Sequence, residues 1–497
     1  MPQSPRQAPL ADVIIIMGEA MSTAILSLEA YEEQRLRDRF RTQAHGALDD
    51  LLNRLELEMS ESTSSPPRLM DLIQAVQEQR SGFTAALVEA FVERRHGHYL
   101  VQEEADCPRC ERAVKARPAR PRTVETMVGA VTLKRPYFYC GSCRHGFYPL
   151  DQALGLSKHA KQWDVQQSGV KLALEMPHER ASTLLDELTD ASMSDAVLHE
   201  VVQQMGRLDV LEVCPSAEYI QDRVAEVAEG RKWKPILVLA IDAADVPSRP
   251  ETAKGTRPGR KKSRARRQRW KAEYREAKGF RFYLVDDESI VQLISWHQVG
   301  DEEAFGAALR QVKDAGLIPE NQVRLCAIAD GAPWIWKWVE ELFPSARQVL
   351  DYYHCSSYLH AVADAQYGGD PEGATHWLEA AMARLFHGEG AGVVWGLQRM
   401  KPAEDAEEAI DGALKYLKKR LHQIDYGSHR KGGYPIGSGA IESAHRFIGH
   451  VRLKRSGTWW YQENSNAILA LRCALYNGTL DRVFRRHQDS SNNTSSP

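Results

Sequence analysis

The stretch RLCAIADGAPWIWKWVEELF, residues 324–343, places an acidic residue at the end of an apolar run. Residues 325–329 predict a buried strand, and Asp330 follows it directly, ahead of Gly331 and a tryptophan-rich helix. An aspartate at this position is either a cap of the helix or one member of a group of acidic ligands. The rest of the chain decides between the two.

A second aspartate follows a similar apolar run. KPILVLAIDAADV, from Lys234, predicts a buried strand that ends at Asp242. The segments after it predict two strands (GFRFYLVDDE, IVQLISWHQV), an amphipathic helix (DEEAFGAALRQVKDAGL), the strand before Asp330, its helix and a last strand (ARQVLDYYH). This order is that of an RNase H-like core, a mixed sheet with helices on its faces. It makes the Asp242 strand central with the Asp330 strand beside it, so the two carboxylates approach each other at the sheet edge.

A third acidic residue lies in YPIGSGAIESAHRFIGHVRLKR, from Tyr434. Ser438 can cap a helix that begins near Gly439, which puts Glu442 in its first turn, on one face with His445, Arg446, Gly449 and His450. Three converging carboxylates repel one another unless a cation lies between them. Mg²⁺ or Mn²⁺ prefers such ligands, and two ions about 4 Å apart activate a nucleophile and stabilise the leaving oxygen at a phosphate.

Each acidic residue also has a structural interpretation. Asp330 can be a helix N-cap, Asp242 a turn residue, and Glu442 a surface glutamate favoured by the helix dipole. The coincidence of all three with the strand order of an RNase H-like core favours the metal site.

Four of the eight cysteines form two Cys-x-x-Cys pairs. Cys107 and Cys110 lie in CPRC, Cys140 and Cys143 lie in CGSC, and the 29 residues between the pairs alternate as a β-hairpin would. Such pairs predict a closed, structural zinc ribbon. A disulfide pair or a redox dithiol is the alternative, but it needs an oxidising compartment or a thioredoxin-like context, and the sequence shows neither.

The charge is unevenly distributed. The net charge is −3, yet residues 254–278 contain twelve Lys or Arg and two Glu, and further basic runs cover residues 109–122 and 445–455. A single run is ordinarily a solvated loop, whereas three favour a nucleic-acid partner. The apolar opening, ADVIIIMGEAMSTAILSL, contains a glutamate and lacks a basic leader, so it predicts a packed helix and a cytoplasmic protein with no membrane span.

The periodicity predicts a multidomain α+β protein. We expect N-terminal helices over residues 1–100, the zinc ribbon over 101–155, a helix-turn-helix region over 156–232, and the first part of the RNase H-like core over 233–361. A helical insertion over 362–432, catalytic C-terminal helices over 433–480 and a disordered tail over 481–497 complete the chain. In the helix-turn-helix pattern, Ser194 caps the second helix.

Several motifs resemble those of a known family. IDAADV, IADGAPWIW, VLDYYH and YPIGSGAIESAHR, preceded by the paired cysteines, are similar to the DDE transposases of bacterial insertion sequences, specifically the ISKra-type group related to the Mutator-like superfamily. The resemblance covers about residues 100–480. It implies that Asp242, Asp330 and Glu442 are the catalytic acids and that Asp351 and His354 form the Asp-x-x-His signature of such enzymes.

The expected activity is metal-dependent cleavage at transposon ends, followed by joining of the 3′-hydroxyl to target DNA. The expected cofactors are two Mg²⁺ or Mn²⁺ ions per active site and a structural Zn²⁺. The expected partner is double-stranded DNA, bound by a homo-oligomer, a dimer on DNA, in association with the nucleoid. The predicted DNA-contacting residues are Lys261, Lys262, Arg264, Arg266, Arg267, His354, His445, Arg446, Arg452 and Lys454. A nuclease that only hydrolyses and a transposase-derived DNA-binding regulator are the alternatives.

Neutralising Lys261, Lys262, Arg264, Arg266 and Arg267 to glutamine tests the basic segment. If these side chains contact phosphates, affinity for every DNA sequence should fall, and the slope of log K against log salt concentration should flatten by about 0.9 per lost contact. Fluorescence anisotropy over a salt series measures this slope. An unchanged slope would assign the segment to a solvated loop.

Overall fold

The structure is a computed structural model that describes residues 10–61, 68–250, 273–287 and 289–493. The chain divides into two compact units. Unit 1 comprises residues 1–169, 179–198 and 487–497, and unit 2 comprises residues 170–178 and 199–486. The fold is mixed α+β, with one sheet in each unit.

Unit 1 begins with two long helices, α1 (Leu10–Glu61) and α2 (Leu69–Leu100), which pack against each other. A four-stranded antiparallel sheet follows, in the order β1 (Glu104–Asp106), β2 (Ala113–Thr126), β3 (Gly129–Cys140) and β4 (His145–Phe147). Strands β2 and β3 are the expected hairpin between the two cysteine pairs. Val124, Val131 and Leu133 of this hairpin form a buried cluster with Ala85 of α2.

Short helices follow the unit 1 sheet. They are α3 (Pro149–Ala153), α4 (Trp163–Glu175), α5 (His178–Leu188) and α6 (Asp195–Met205). Helices α5 and α6 are the two helices of the predicted helix-turn-helix sequence, and the Ser194 hydroxyl accepts a hydrogen bond from the N–H of Val197 at 3.4 Å, as the predicted cap would. A helical pair of this kind occurs in many proteins and by itself indicates no partner.

Unit 2 contains a five-stranded mixed sheet. The strands are β5 (Ile236–Ser248), β6 (Glu273–Asp286), β7 (Ser289–Val299), β8 (Arg324–Ala329) and β9 (Arg347–Leu350), and their order in the sheet is β7-β6-β5-β8-β9. Pairing is antiparallel among β5, β6 and β7 and parallel from β5 to β8 to β9. Strand β5 is therefore central and β8 lies beside it, which is the arrangement that the sequence predicts.

The strands of unit 2 form because their residues are apolar and can be buried on both faces. Residues 236–241 of β5 and 325–329 of β8 are buried, and Phe280 and Phe282 of β6 are fully enclosed. Between β7 and β8, helix α9 (Glu302–Asp314) begins where the Asp301 side chain accepts a hydrogen bond from the N–H of Ala304. Helix α10 (Pro333–Leu342) follows β8, and its Trp336 and Trp338 are buried in the core.

The remaining helices of unit 2 precede and follow the sheet along the chain. Helices α7 (Val210–Val213) and α8 (Ala217–Ala228) precede it. After β9 come α11 (Tyr352–Tyr367), α12 (Pro371–Phe386), α13 (Gly390–Arg399), α14 (Glu407–Lys418) and α15 (Tyr426–Lys431), where the sequence predicts a helical insertion. The chain then forms α16 (Gly439–Ala444), a π-helix (His445–His450), α17 (Val451–Leu453) and α18 (Gln462–Tyr476).

The C-terminal segment differs from the prediction. Residues 481–497 were expected to be disordered, but helix α19 covers Leu480–Asn493. Its first turns are anchored because Leu480, Val483 and Phe484 are buried and the Arg482 guanidinium donates hydrogen bonds to the carbonyls of Glu212 and Cys214. The polar composition of the last residues hides this apolar stripe. In the described part of the chain, no helix is both long and apolar enough to cross a bilayer.

Candidate functional site

The four paired cysteines of unit 1 meet at the end of its sheet. Cys107 and Cys110 flank the turn after β1, whereas Cys140 ends β3 and Cys143 lies in the turn before β4. The Sγ atoms of Cys107 and Cys143 are 3.4 Å apart, those of Cys110 and Cys140 3.6 Å, and those of Cys110 and Cys143 3.7 Å. Sulfurs bound at about 2.3 Å to a tetrahedral zinc lie about 3.8 Å from one another. The cluster can therefore hold a metal such as zinc.

The protein backbone favours the thiolate at Cys140. Hydrogen bonds from the backbone N–H groups of Cys143 and Ser142, together with the neighbouring Cys110, lower the pKa of the Cys140 thiol to about 6, whereas burial and the other thiols raise that of Cys143 to about 12. Part of this cluster is therefore ionised near neutral pH and prepared to bind a cation. Phe138 and Phe147 enclose the site on the protein side, as expected for a closed structural centre.

Substitution of one ligand tests the metal centre. Cys140→Ser should remove zinc and lower the unfolding temperature, because three thiolates hold the ion less tightly than four. Ser142→Ala, in the same turn, removes a hydroxyl that is not a ligand and should keep one zinc per chain. Elemental analysis of both variants, purified under reducing conditions, measures the ratio of zinc to protein. Wild-type protein without zinc would contradict the assignment.

In unit 2, strand pairing places two of the predicted acidic residues side by side. Strands β5 and β8 pair in parallel register from Ile236 with Arg324 to Ile241 with Ala329. Asp242 and Asp330 are the next residues in this register, so their backbones are about one strand spacing, roughly 5 Å, apart. Burial raises the pKa of Asp330, and the negative charge of Asp242 raises it further. The two carboxylates thus act on each other.

The structure excludes two of the alternative interpretations. Asp330 is not the N-cap of α10: that position is Ala332, whose N–H donates to Asp330 Oδ1 at 2.8 Å. Asp242 is not a turn residue, because β5 continues to Ser248. The turn after Asp330 is held from a second side as well, since the indole N–H of Trp336 donates to the Asp330 carbonyl at 2.8 Å.

Glu442 lies on the first turn of α16, which packs against β5 and β6. Ser438 is the residue before this helix, but it does not cap it as predicted; its hydroxyl donates to Glu442 Oε1 at 3.1 Å. Glu442 itself is exposed, so the interpretation as a surface glutamate also fits this structure. Among the described residues, only the four cysteines have ligand atoms all within 4.8 Å of one another, so Glu442 does not join the two aspartates at that distance.

Asp351 connects three parts of the candidate site. It is buried, its N–H donates to the carbonyl of Ala329 at the end of β8, and its Oδ1 accepts from the N–H of His354 at 2.7 Å. Its Oδ2 accepts from the N–H of Ser438 at 2.5 Å. Asp351 therefore fixes the start of the Glu442 helix relative to the strand of Asp330, and it does not bind the His354 ring.

A second buried charge holds the same helix. Arg281 of β6 is 3% exposed and donates to the carbonyl of Ala440 at 2.5 Å and to Gln292 at 2.6 Å. The sequence analysis missed this residue, although an arginine inside the apolar run GFRFYLV is the kind of signal that could have revealed it.

Two histidines lie beside Asp242. His445 Nε2 is 3.5 Å from Asp242 Oδ2, and the His445 ring packs edge-on against His297 at a centroid distance of 4.7 Å. His297 is reached across Gly279, the neighbour of Asp242 in β6, where a Cβ would lie 2.4 Å from the imidazole. Burial lowers the pKa of His297 well below its usual value, and His445 adds to this effect. The His445 ring therefore lies beside the Asp242 carboxylate, and the His297 ring packs against His445.

The predicted DNA-contacting residues separate by exposure. His354, Arg446 and Lys454 are exposed and available to a phosphate. His445 is buried, and Arg452 is buried with its Nε donating to the carbonyl of Ala173 at 2.8 Å, so neither side chain is available to a phosphate in this structure. His445 lies on the same buried helical face as Ile441, Ala444 and Ile448. Lys261, Lys262, Arg264, Arg266 and Arg267 lie outside the described residues.

No family model matches this chain, and no curated protein matches it. Among solved structures it is similar to the Drosophila P element transposase strand transfer complex, with a TM-score of 0.23 and 12% sequence identity over 66% of this chain and 80% of that chain. A TM-score of this size lies below that of a shared fold.

Asp351→Asn tests the connection between the sheet and the Glu442 helix. The amide supplies only one acceptor oxygen, and its NH₂ group faces the N–H of Ser438 or His354, so the free energy of unfolding should fall by about 2 kcal/mol. Asp370→Asn is the matched control, because Asp370 caps α12 at an exposed position. Asparagine caps a helix as well as aspartate does, so a change within about 0.5 kcal/mol is expected.

Urea denaturation followed by tryptophan fluorescence measures both variants. Equal loss of stability in the two variants would mean that Asp351 is an ordinary helix cap.

Proposed function

We propose that this chain is a DNA transposase of the DDE type, with an RNase H-like core in unit 2. One observation carries the proposal: Asp242 on β5 and Asp330, directly after β8, lie level on adjacent parallel strands of a mixed sheet that has two antiparallel and two parallel strand pairings. This strand order agrees with the RNase H-like order that the sequence predicts. The resemblance of the motifs around Asp330 and Glu442 to ISKra-type transposases gives the reaction.

The carboxylates suit a divalent cation. Asp242 and Asp330 each accept a local backbone N–H through Oδ1, from Ala243 and Ala332 respectively. Burial raises the pKa of Asp330 and the charge of Asp242 raises it further, and an ion between the two carboxylates would relieve their repulsion. Glu442, exposed on the helix that Asp351 and Arg281 hold, would complete the ligand set. Two Mg²⁺ or Mn²⁺ ions bound there would polarise the nucleophile and neutralise the leaving oxygen.

The proposed reaction has two steps at phosphorus. In the first, a water oxygen attacks the phosphorus at a transposon end and the bond from phosphorus to O3′ breaks. The leaving O3′ takes a proton, while the attacking water loses one, so the products are a 3′-hydroxyl and a 5′-phosphate. In the second, this 3′-hydroxyl attacks a phosphorus in target DNA, and the target's O3′ leaves. The second step exchanges one phosphodiester for another and needs no added energy source.

The proposed partner is double-stranded DNA, bound at transposon ends and at the target by a dimer of this chain in the nucleoid. His354, Arg446 and Lys454 of unit 2 are exposed. His354 lies in the first turn of α11, and Arg446 and Lys454 follow Glu442 in the chain. In unit 1, Lys115, Arg117 and Arg120 are exposed on β2, where the two arginines stack on Tyr139 and Tyr137. Both sets offer cations to a phosphate backbone.

Asp330→Asn separates catalysis from folding. The change keeps size but removes a charge that binds the metal ion, so cleavage and joining should fall roughly a thousandfold or more. Because the fold disfavours the charged form of Asp330, the neutral variant should melt at the wild-type temperature or above it. Asp245→Asn, at an exposed position of the same strand as Asp242, is the control and should keep activity.

The assay uses supercoiled plasmid that carries the DNA flanking this gene, incubated with Mg²⁺ or Mn²⁺, and resolves nicked, cut and joined products. Asp242→Asn and Glu442→Gln should behave as Asp330→Asn does, and double variants should lose little more, since the three act as one unit. Cut but never joined DNA would indicate a nuclease. Binding without cutting by the wild type would indicate a regulator.

A further inference from the structure

One arginine of the helical segment between β9 and α16 contacts the turn after Asp330. Arg420 follows helix α14 and donates hydrogen bonds to the carbonyl of Gly331 and, at 3.1 Å, to that of Tyr416. The Tyr416 ring packs so closely on this turn that a Cβ at Gly331 would lie 2.3 Å from it. The guanidinium is therefore fixed next to the proposed metal ligand.

Among the residues that the structure describes, no carboxylate forms an ion pair with Arg420. Its side chain is partly exposed and lies over the Tyr416 ring at 4.7 Å, and two of its five N–H groups are used on carbonyls. A neutral donor would serve a carbonyl equally well, and holding a guanidinium partly away from water costs free energy that an anion would recover. The charge reaches Asp330: burial raises the pKa of that carboxyl, whereas His354 and Arg420 act in the opposite direction.

Building on the proposed function, we infer that Arg420 is a further catalytic residue, which donates to a non-bridging oxygen of the phosphate that is cut. A planar guanidinium suits this task because it offers paired donors to two oxygens of one phosphate. In the transition state, negative charge is spread over the non-bridging oxygens of the phosphate and the leaving O3′. A fixed cation beside these oxygens stabilises that charge. The helical segment thereby contributes to the chemistry itself.

The experiment compares four proteins in the plasmid assay with Mn²⁺: wild type, Arg420→Ala, Arg420→Lys and Arg399→Ala. Arg399 is the matched control because it is exposed in the same helical segment and also lies over an aromatic ring, that of Trp395. DNA affinity is measured with Ca²⁺ in place of Mn²⁺, and thermal melting checks the fold. The cleavage rate of Arg420→Ala is then measured again with millimolar guanidinium or with urea.

We expect Arg420→Ala to cut about 100-fold more slowly than the wild type while DNA affinity changes less, and Arg420→Lys to lie between them. Guanidinium, but not urea, should restore part of the lost rate, because it replaces the missing charge and donors. Arg399→Ala should equal the wild type.

A loss of less than about threefold in Arg420→Ala would overturn the inference. So would a folded variant whose rate guanidinium does not raise, because the arginine would then only support the turn. Either result leaves the proposed function standing, provided that the wild type cuts and Asp330→Asn does not. Absence of metal-dependent cutting by the wild type would overturn the proposed function and this inference with it.

Discussion

The parallel pairing of β5 and β8 is the constraint on which the candidate site of unit 2 depends. Its register brings Asp242 and Asp330 level, so the two backbones cannot shift apart without loss of hydrogen bonds between these strands. The pKa of Asp330 is raised by burial and by its neighbour Asp242. The proposed metal site rests on this pair, and the helix that carries Glu442 packs against the same central strand.

Two buried charged side chains position the third acidic residue, Glu442, whereas strand pairing positions the first two. Asp351 binds the backbone before α16, and Arg281 binds the carbonyl of Ala440 within it. Both side chains are buried, and both form hydrogen bonds with backbone groups at the start of α16. These bonds fix the position of the short helix on the sheet. The helix is only six residues long, so without these contacts its own hydrogen bonds would position Glu442 poorly.

The sequence predicts what depends on local pattern. The apolar runs before Asp242 and Asp330 place both strands, and the spacing of Cys107, Cys110, Cys140 and Cys143 predicts their cluster, because strands and paired thiols follow from neighbouring residues.

The burial of His445 and Arg452 could not be predicted in the same way. It depends on packing against residues far away in the chain: the His445 ring contacts His297, and Arg452 donates to the carbonyl of Ala173. Arg420 is also a tertiary feature, since no local pattern indicates that the end of α14 returns to Gly331. The helix at the C-terminus was missed because three apolar residues anchor an otherwise polar segment.

The order of the elements along the chain has a consequence for synthesis on the ribosome. The parallel neighbour of β5, strand β8, is made only after β6, β7 and α9, and α16 emerges after β9 and the six helices α10 to α15. Under the proposed function, a chain that ended within the helical segment would keep the exposed cations of unit 1 and lack Glu442. It would occupy DNA without cutting it, and it would compete with the full-length protein for the same sites.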